Sequence, residues 1–202
     1  GSLPRAVCIS FSQGSNAPIF DTQVLLRAMQ YATTFGYALH LQLQDKHLAR
    51  DGVAHDGEVA SRLGLPSIPA AAESAAIATA LELVRATGAR LHFTRISSAA
   101  GIALLQRARD EGLPVSCDIG VHHLHLTDMD IGYFDSAARF NPPLRAQRDR
   151  EALSAAAASG VPWRAAASES MYSRTGPGAA AAAARKPEPR PALASERREK
   201  RE

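Results

Sequence analysis

Seven histidines stand in this chain of 202 residues, and three of them sit together as H-H-L-H at His122, His123 and His125. Neutral imidazole is the commonest metal ligand, so the first chemistry to test is that of a zinc hydrolase. The cluster continues the β-rich run PVSCDIGV (114–121). On an extended strand side chains two apart share a face, so His123 and His125 are expected to point the same way. No carboxylate at helical spacing completes a His-Glu-x-x-His set. Read from these residues alone, one histidine packs or hydrogen-bonds at the strand end and the others are solvated.

The elements that would position such groups alternate along the chain. AVCISF (6–11) reads as a strand, followed by a turn-rich segment and DTQVLLRAMQYATTFG, with Asp21 as helix cap and Gly36 as stop. YALHLQLQ (37–44) alternates like a strand, and a helix opens near Ile68-Pro69 and runs to Gly88. RLHFTRIS (90–97), AAGIALLQRARDEG (99–112) and PVSCDIGV then repeat the order, and a last helix starts near Ala146. Parallel strands are predicted near 6–11, 38–43, 90–96 and 114–119. This pattern argues for an α/β fold of βαβ units. A closed barrel of eight such units takes about 250 residues, so the expectation is a partial (β/α)₈ TIM-type barrel. A doubly wound sheet is the alternative, but no Gly-x-Gly-x-x-Gly follows the first strand. A half-built barrel would leave two sheet edges, and helix faces around Leu25, Ile77 and Ile102, without neighbours, which favours association.

The body is taken as residues 1–159 and the tail as 160–202. The tail, ending AAAARKPEPRPALASERREKRE, mixes Ala, Pro and charge without an apolar period and is expected to be disordered. It holds nine Lys/Arg and five Asp/Glu, which leaves 14 basic and 15 acidic side chains for the body. The net charge of +3 therefore belongs to the tail, and the body offers no phosphate-binding surface for nucleic acid. No apolar run reaches the ~18 residues of a membrane span, and no signal peptide opens the chain. Cys8 and Cys117 lie in apolar runs and read as buried thiols of a cytoplasmic protein.

Four segments in order carry a resemblance: HDGEVASRLGLPSIPAAAE (55–73), the Ser97-Ser98 pair after RLHFTRI, VSCDIGVHHLHLTD (115–128), and FNPPLRAQRDREAL (140–153). Together they resemble the consecutive motifs of the class I dihydroorotases, a family of the amidohydrolase superfamily, over about Arg5 to Ala157. The resemblance implies a (β/α)₈ barrel that holds zinc at its strand ends and opens or closes the ring amide of dihydroorotate, a step of pyrimidine biosynthesis. It also implies where the ligands should lie. The family's first His-x-His would precede Gly1. An acidic ligand would fall near Gln13. The His-x-Glu-Asp motif is Gln42-x-Gln44-Asp45 here, and the His before the next Ser is Arg95. The catalytic Asp of an Asp-His-Ala-Pro-His segment would follow NPPLR, and no Asp-His pair does.

Gln13, Gln42 and Arg95 thus stand at lost ligand positions. An amide is a weak neutral ligand, but a guanidinium stays protonated, has no lone pair to give and repels a divalent cation. The expectation is no metal, no cofactor and no catalytic residue. Asn141 of NPPLR corresponds to a residue that contacts substrate in the family, and Arg95 could bind the anionic group of a small ligand or pair with Asp118 or Asp45. His55 and Asp56 read as structural, Pro142-Pro143 as the turn presenting Asn141, and Arg145 as the partner of a nearby carboxylate. The resemblance further implies the branch of inactive chains that assemble with aspartate transcarbamoylase and stabilise it. The alternative is an active zinc dihydroorotase or cyclic amidohydrolase, with ligands from the upstream segment and from His122, His123 or His125.

Overall fold

The computed structural model describes residues 10–13, 21–133, 135–159 and, as backbone, 163–166. Five parallel strands form one sheet in the order β1 (Ser10–Ser12), β2 (Ala38–Leu41), β5 (Arg90–Ile96), β6 (Val115–Gly120), β7 (Trp163–Ala166). The helices α1 (Thr22–Phe35), α3 (Ala70–Thr87), α4 (Ala99–Asp110) and α6 (Gln147–Ala158) connect successive strands of that sheet. Between β2 and α3 the chain makes a two-stranded parallel ribbon, β3 (Ala54–His55) with β4 (Ser67–Ile68), around the short α2 (Glu58–Leu63). After β6 comes a five-residue helix, α5 (Val121–His125).

Local signals account for the helix ends. The Asp21 carboxylate accepts from Gln23 N at 2.7 Å and Val24 N at 3.3 Å, satisfying free amides at the start of α1. Gly36 ends that helix at φ 70, a left-handed conformation that glycine adopts without Cβ strain. Helix α4 is capped by Ser98 Oγ, which accepts from Gly101 N at 3.0 Å.

The strands divide the sheet into two faces. Leu39 and Leu41 of β2, Leu91, Phe93 and Ile96 of β5, and Cys117 and Ile119 of β6 are buried against the helices. Met29 and Ala32 of α1, Ile77, Ala80 and Val84 of α3, Leu105 and Ala108 of α4, and Leu153 of α6 complete that core. The opposite face, the inner one in a barrel, is polar. The register aligns Ser12 with His40, His40 with His92, and His92 with Ser116.

The architecture is a partial barrel of βα units with its strands where the sequence puts them. Residues 6–9 of the first predicted strand, and Cys8, lie outside the described residues. Two readings need correction. Leu25 and Ile77 are not left without neighbours: they are 5% and 0% exposed, and Ile102 packs at the core's margin. One group of exposed apolar side chains lies on α1 and the β1 edge, where Phe11, Tyr31 and Phe35 contact one another and the half-buried Tyr37. A boundary at 160 also cuts too early, because β7 pairs with β6 through Cys117–Trp163 to Gly120–Ala166. Its residues were grouped with the tail on composition, which does not register a four-residue strand supported by an existing edge.

Where α4 crosses α3, a Cβ on Gly101 would come within 2.6 Å of Glu73 Oε1 and 3.1 Å of Ile77 Cδ1. Both neighbours are buried, so neither can swing into solvent. Gly101→Ala should therefore cost about 1–3 kcal/mol by overpacking, despite alanine's better helix propensity. Urea unfolding followed by circular dichroism reads this; a variant as stable as the parent would show that the helices separate freely.

Candidate functional site

The C-terminal ends of β2, β5 and β6 and the loop entering α6 come together at one end of the sheet. Strand β5 does not reach that end regularly. Its pairing with β6 shifts register between Phe93 and Ile96, and Arg95 within the shift has φ 58. A left-handed arginine costs of order 1 kcal/mol or more unless its neighbours hold it. Here its amide donates to Asp118 Oδ1 at 2.6 Å, and its guanidinium Nη2 donates to Gln42 Oε1. A bulge of this kind re-aims a side chain that regular pleating would direct elsewhere.

Asp118, buried on β6, accepts a second bond at Oδ2 from His92 Nε2 at 3.0 Å. Since a carboxylate only accepts, Nε2 carries the proton. In the neutral ring Nδ1 is then free to accept from the Ser116 hydroxyl at 2.8 Å. The His40 ring lies 4.7 Å from that of His92. Burial, with a smaller contribution from His92, keeps the His40 pKa below its ordinary value. This chain of polar groups fills the inner face and supports Arg95 from below.

Above it opens a cleft of ≈ 330 Å³, lined by Gln13, Gln42, Gln44 and Asn141 and by the cations Lys46, Arg50 and Arg139. Gln42 joins its two sides: Nε2 donates to Asn141 Oδ1 at 3.1 Å while Oε1 accepts from Arg95. Gln13 Nε2 donates to the main-chain carbonyl of Gln42 at 2.6 Å. Gln13, Gln42 and Arg95, which the resemblance places at ligand positions, are therefore brought together, with Asn141 beside them. Asp45 is not among them. Its carboxylate accepts from His47 N and Leu48 N, both at 2.9 Å, and shapes its own turn.

A second network lies behind the cleft. Glu73 of α3 accepts from Ser97 N and Oγ at 3.0 and 2.5 Å and from Ser98 N and Oγ at 2.9 and 2.6 Å. Arg145 donates to Ser97 Oγ at 3.2 Å, to Ile68 O at 2.8 Å and to His55 Nδ1 at 3.2 Å. An arginine can only donate, so His55 is the tautomer protonated on Nε2. Burial first, and the Arg145 charge second, hold its pKa below the ordinary histidine value. Asp149 accepts from Ala99 N at 2.9 Å at the start of α4. The structure thus corrects the reading of Arg145: among the described residues it forms no direct ion pair, and its bonds go to a hydroxyl, a carbonyl and an imidazole. His55 and the Asp56 carboxylate, which accepts from Ser67 Oγ at 2.8 Å, are framework.

The histidine cluster is also arranged differently from the extended reading. Val121–His125 is helical, so residues two apart diverge, and only His123 is buried while His122 and His125 face solvent. Among the described residues no group of three His, Cys, Asp or Glu is placed to hold a metal ion. Nor do Gln13, Gln42 and Arg95 fit zinc, since one is a cation and its guanidinium already occupies the Gln42 oxygen. Sequence reasoning missed Glu73, hidden in an alanine-rich helix, and the cleft cations, which sit in loops that carry no motif.

The fold is that of one part of a (β/α)₈-type barrel, and comparison with known structures agrees. L-hydantoinase from Arthrobacter aurescens superposes with a TM-score of 0.59 at 22% identity, over 72% of this chain and 33% of that one. Dihydroorotase from Campylobacter jejuni gives 0.50 at 15% identity, over 72% and 39%. The dihydro-orotase-like family model matches residues 11–100. A dihydroorotase-like protein of Pseudomonas putida is 44% identical over 154 residues, 76% of this chain and 36% of that protein. Its counterpart in Pseudomonas aeruginosa is 40% identical over 85% and 42%, and a dihydroorotase of Anaeromyxobacter dehalogenans is 37% identical over 80% and 37%. The chain belongs to the dihydroorotase-like family of amidohydrolases. It spans about 36–42% of the length of these relatives.

His123 carries a measurable consequence. Its Nε2 donates to Pro142 O at 3.1 Å, its Nδ1 has no partner among the described residues, and burial pushes its pKa down to about 4. A group whose folded pKa is depressed binds its proton first in the unfolded chain. Stability should therefore be full above pH ~6.5 and fall on acidification through the interval down to about 4, by up to ~3 kcal/mol. Urea midpoints between pH 4 and 8 test this. His123→Gln, which can still donate to Pro142 O, should flatten that acid limb; an unchanged limb would assign it to other groups.

Proposed function

We propose that this chain is part of a non-catalytic dihydroorotase-like protein of pyrimidine biosynthesis that serves as a structural partner of aspartate transcarbamoylase in the cytoplasm. Asn141 and Arg95 are its ligand-facing residues. The observation that carries the reading is the bond from the Arg95 guanidinium to Gln42 Oε1. At the two strand ends where the family resemblance expects imidazoles, this chain has a cation and an amide that satisfy each other. Two relatives that bear the looser name of dihydroorotase-like protein, at 44% and 40% identity, support it.

Without a metal, water keeps a pKa of ~15.7 and supplies almost no hydroxide at neutral pH. Among the described residues His92 is the histidine held by both a carboxylate and a hydroxyl, and it lies on the inner face below Arg95 rather than in the cleft. The side chains at the strand ends bind and orient; none is a base placed beside a nucleophile.

The second reading is an active zinc enzyme on dihydroorotate or another cyclic amide. The relative from Anaeromyxobacter dehalogenans, named as a dihydroorotase, favours it. In that case the metal ligands come from the family's upstream segment and from His122, His123 or His125, because Gln13, Gln42 and Arg95 cannot provide them.

The two readings separate in one preparation. We expect less than a tenth of an equivalent of zinc by mass spectrometry, no change in dihydroorotate absorbance, and co-elution with aspartate transcarbamoylase in size-exclusion chromatography. Stoichiometric zinc with chelator-sensitive turnover would establish the enzyme instead. Migration as a lone monomer beside the transcarbamoylase would remove the partnership and self-association alike; migration as a homo-oligomer beside it would remove the partnership alone.

A further inference from the structure

Two cavities lie back to back at the strand ends. The outer is the cleft of ≈ 330 Å³, near the lower limit for metabolite sites. The inner is a chamber of ≈ 10 Å³, room for about one water, and is lined by Arg95, Arg145, Glu73 and Thr94 among others. Gln42 and Gln44 line both and form the wall they share.

Several cations stand around this wall. Three cations line the cleft against a single acid, Asp51, which already sits 3.8 Å from Arg50. Arg95 forms no ion pair through its guanidinium among the described residues; its acceptor there is the neutral Gln42 amide. Behind it Arg145 is 2% exposed, and its Nη2 has no hydrogen-bond partner among the described residues. The Glu73 and Asp149 charges act on Arg145, and the Asp118 charge on Arg95, without a direct ion pair to either guanidinium among the described residues, the Glu73 oxygens being held by Ser97 and Ser98.

We infer that the cleft and the chamber form one site for the oxyanion group of a small metabolite, a carboxylate or a phosphate, which displaces the Gln42 side chain from Arg95. A charged oxygen accepts from a guanidinium about twice as strongly as a neutral amide oxygen does. Gln42 is then a placeholder, held on its far side only by the 3.1 Å bond to Asn141. Once displaced, the Gln42 and Asn141 amides are available to a second polar group of the ligand, which lies in the cleft while its anion reaches Arg95. The inference rests on the reading that no metal occupies these strand ends.

The test is calorimetric titration of the full chain, in the presence of a chelator, with inorganic phosphate and with succinate as separate probes. One probe should saturate at one equivalent per chain, and which one does identifies the source of the anion. Arg95→Gln should weaken it at least tenfold. Gln42→Ala should tighten it several-fold, since the competing acceptor is gone, whereas a purely structural glutamine would weaken it on removal. If Arg95→Gln does not fold by circular dichroism, the sign of the Gln42→Ala effect decides alone. Saturation by neither probe, or weaker binding by Gln42→Ala, overturns the inference. Binding that appears only without chelator and survives Arg95→Gln would place the anion on a metal, and it is then the non-catalytic reading of the site that fails.

Discussion

Glu73 is the point on which the described part of the molecule turns. Its two carboxylate oxygens take four hydrogen bonds from Ser97 and Ser98, and it is 3% exposed. A buried carboxylate is tolerable only when its acceptor sites are filled, and the end of β5 is the segment that fills them. The bond network therefore fixes where β5 stops and where α4 starts relative to α3. Arg145 continues it to the β3–β4 ribbon through Ile68 O and His55, and Asp149 ties α6 to the first turn of α4. Removing the acid would leave two buried serine amides without partners, a penalty of about 1–3 kcal/mol each.

This framework separates the groups that set the shape of the strand ends from those that line the cleft. The groups that set backbone geometry, Glu73, Arg145, His55 and Asp149, lie behind the strand ends and do not face the cleft. Of the groups that face it, Gln13 and Gln42 follow the ends of β1 and β2, and Asn141 stands in the loop before α6. The Arg95 guanidinium bonds to the Gln42 amide and takes no part in the bonds that hold Glu73, Arg145 and Asp149. The Asp118 carboxylate reinforces this separation, since it is bonded to the main-chain amide of Arg95 and not to the guanidinium.

Helices α1 and α3 were legible in part because Asp21, Gly36 and Gly88 mark a start and two stops that the backbone obeys. The strands at 90–96 and 115–120 were legible from their apolar alternation. Helix α5 was not. V-H-H-L-H has no cap and continues an apolar run, so nothing local distinguishes it from two more residues of strand. The two-residue strands β3 and β4 are too short for any period, and β7 is composed largely of alanine. At the site, the substitutions at 13, 42 and 95 could be read from motif order. The register shift that turns Arg95 toward Gln42 could not, because it arises from pairing between strands more than twenty residues apart.

The polar row across the inner face also has a kinetic meaning. Ser12 pairs with His40, His40 with His92, and His92 with Ser116, so the middle pairing closes a segment roughly twice as long as either neighbour. Closing a longer segment costs more chain entropy, and non-local parallel pairing is slow for that reason. The β5–α4–β6 unit, whose ends meet across the shortest segment, is the natural nucleus. The β1–α1–β2 unit must then dock onto it while the long intervening stretch, with its own small ribbon, is still being organised. Until it docks, the β5 edge exposes unpaired amides and carbonyls beside His92, a position where imidazole and water can solvate each other. A histidine on that inner row keeps the waiting edge hydrated and less prone to pair with a wrong strand than a valine would be.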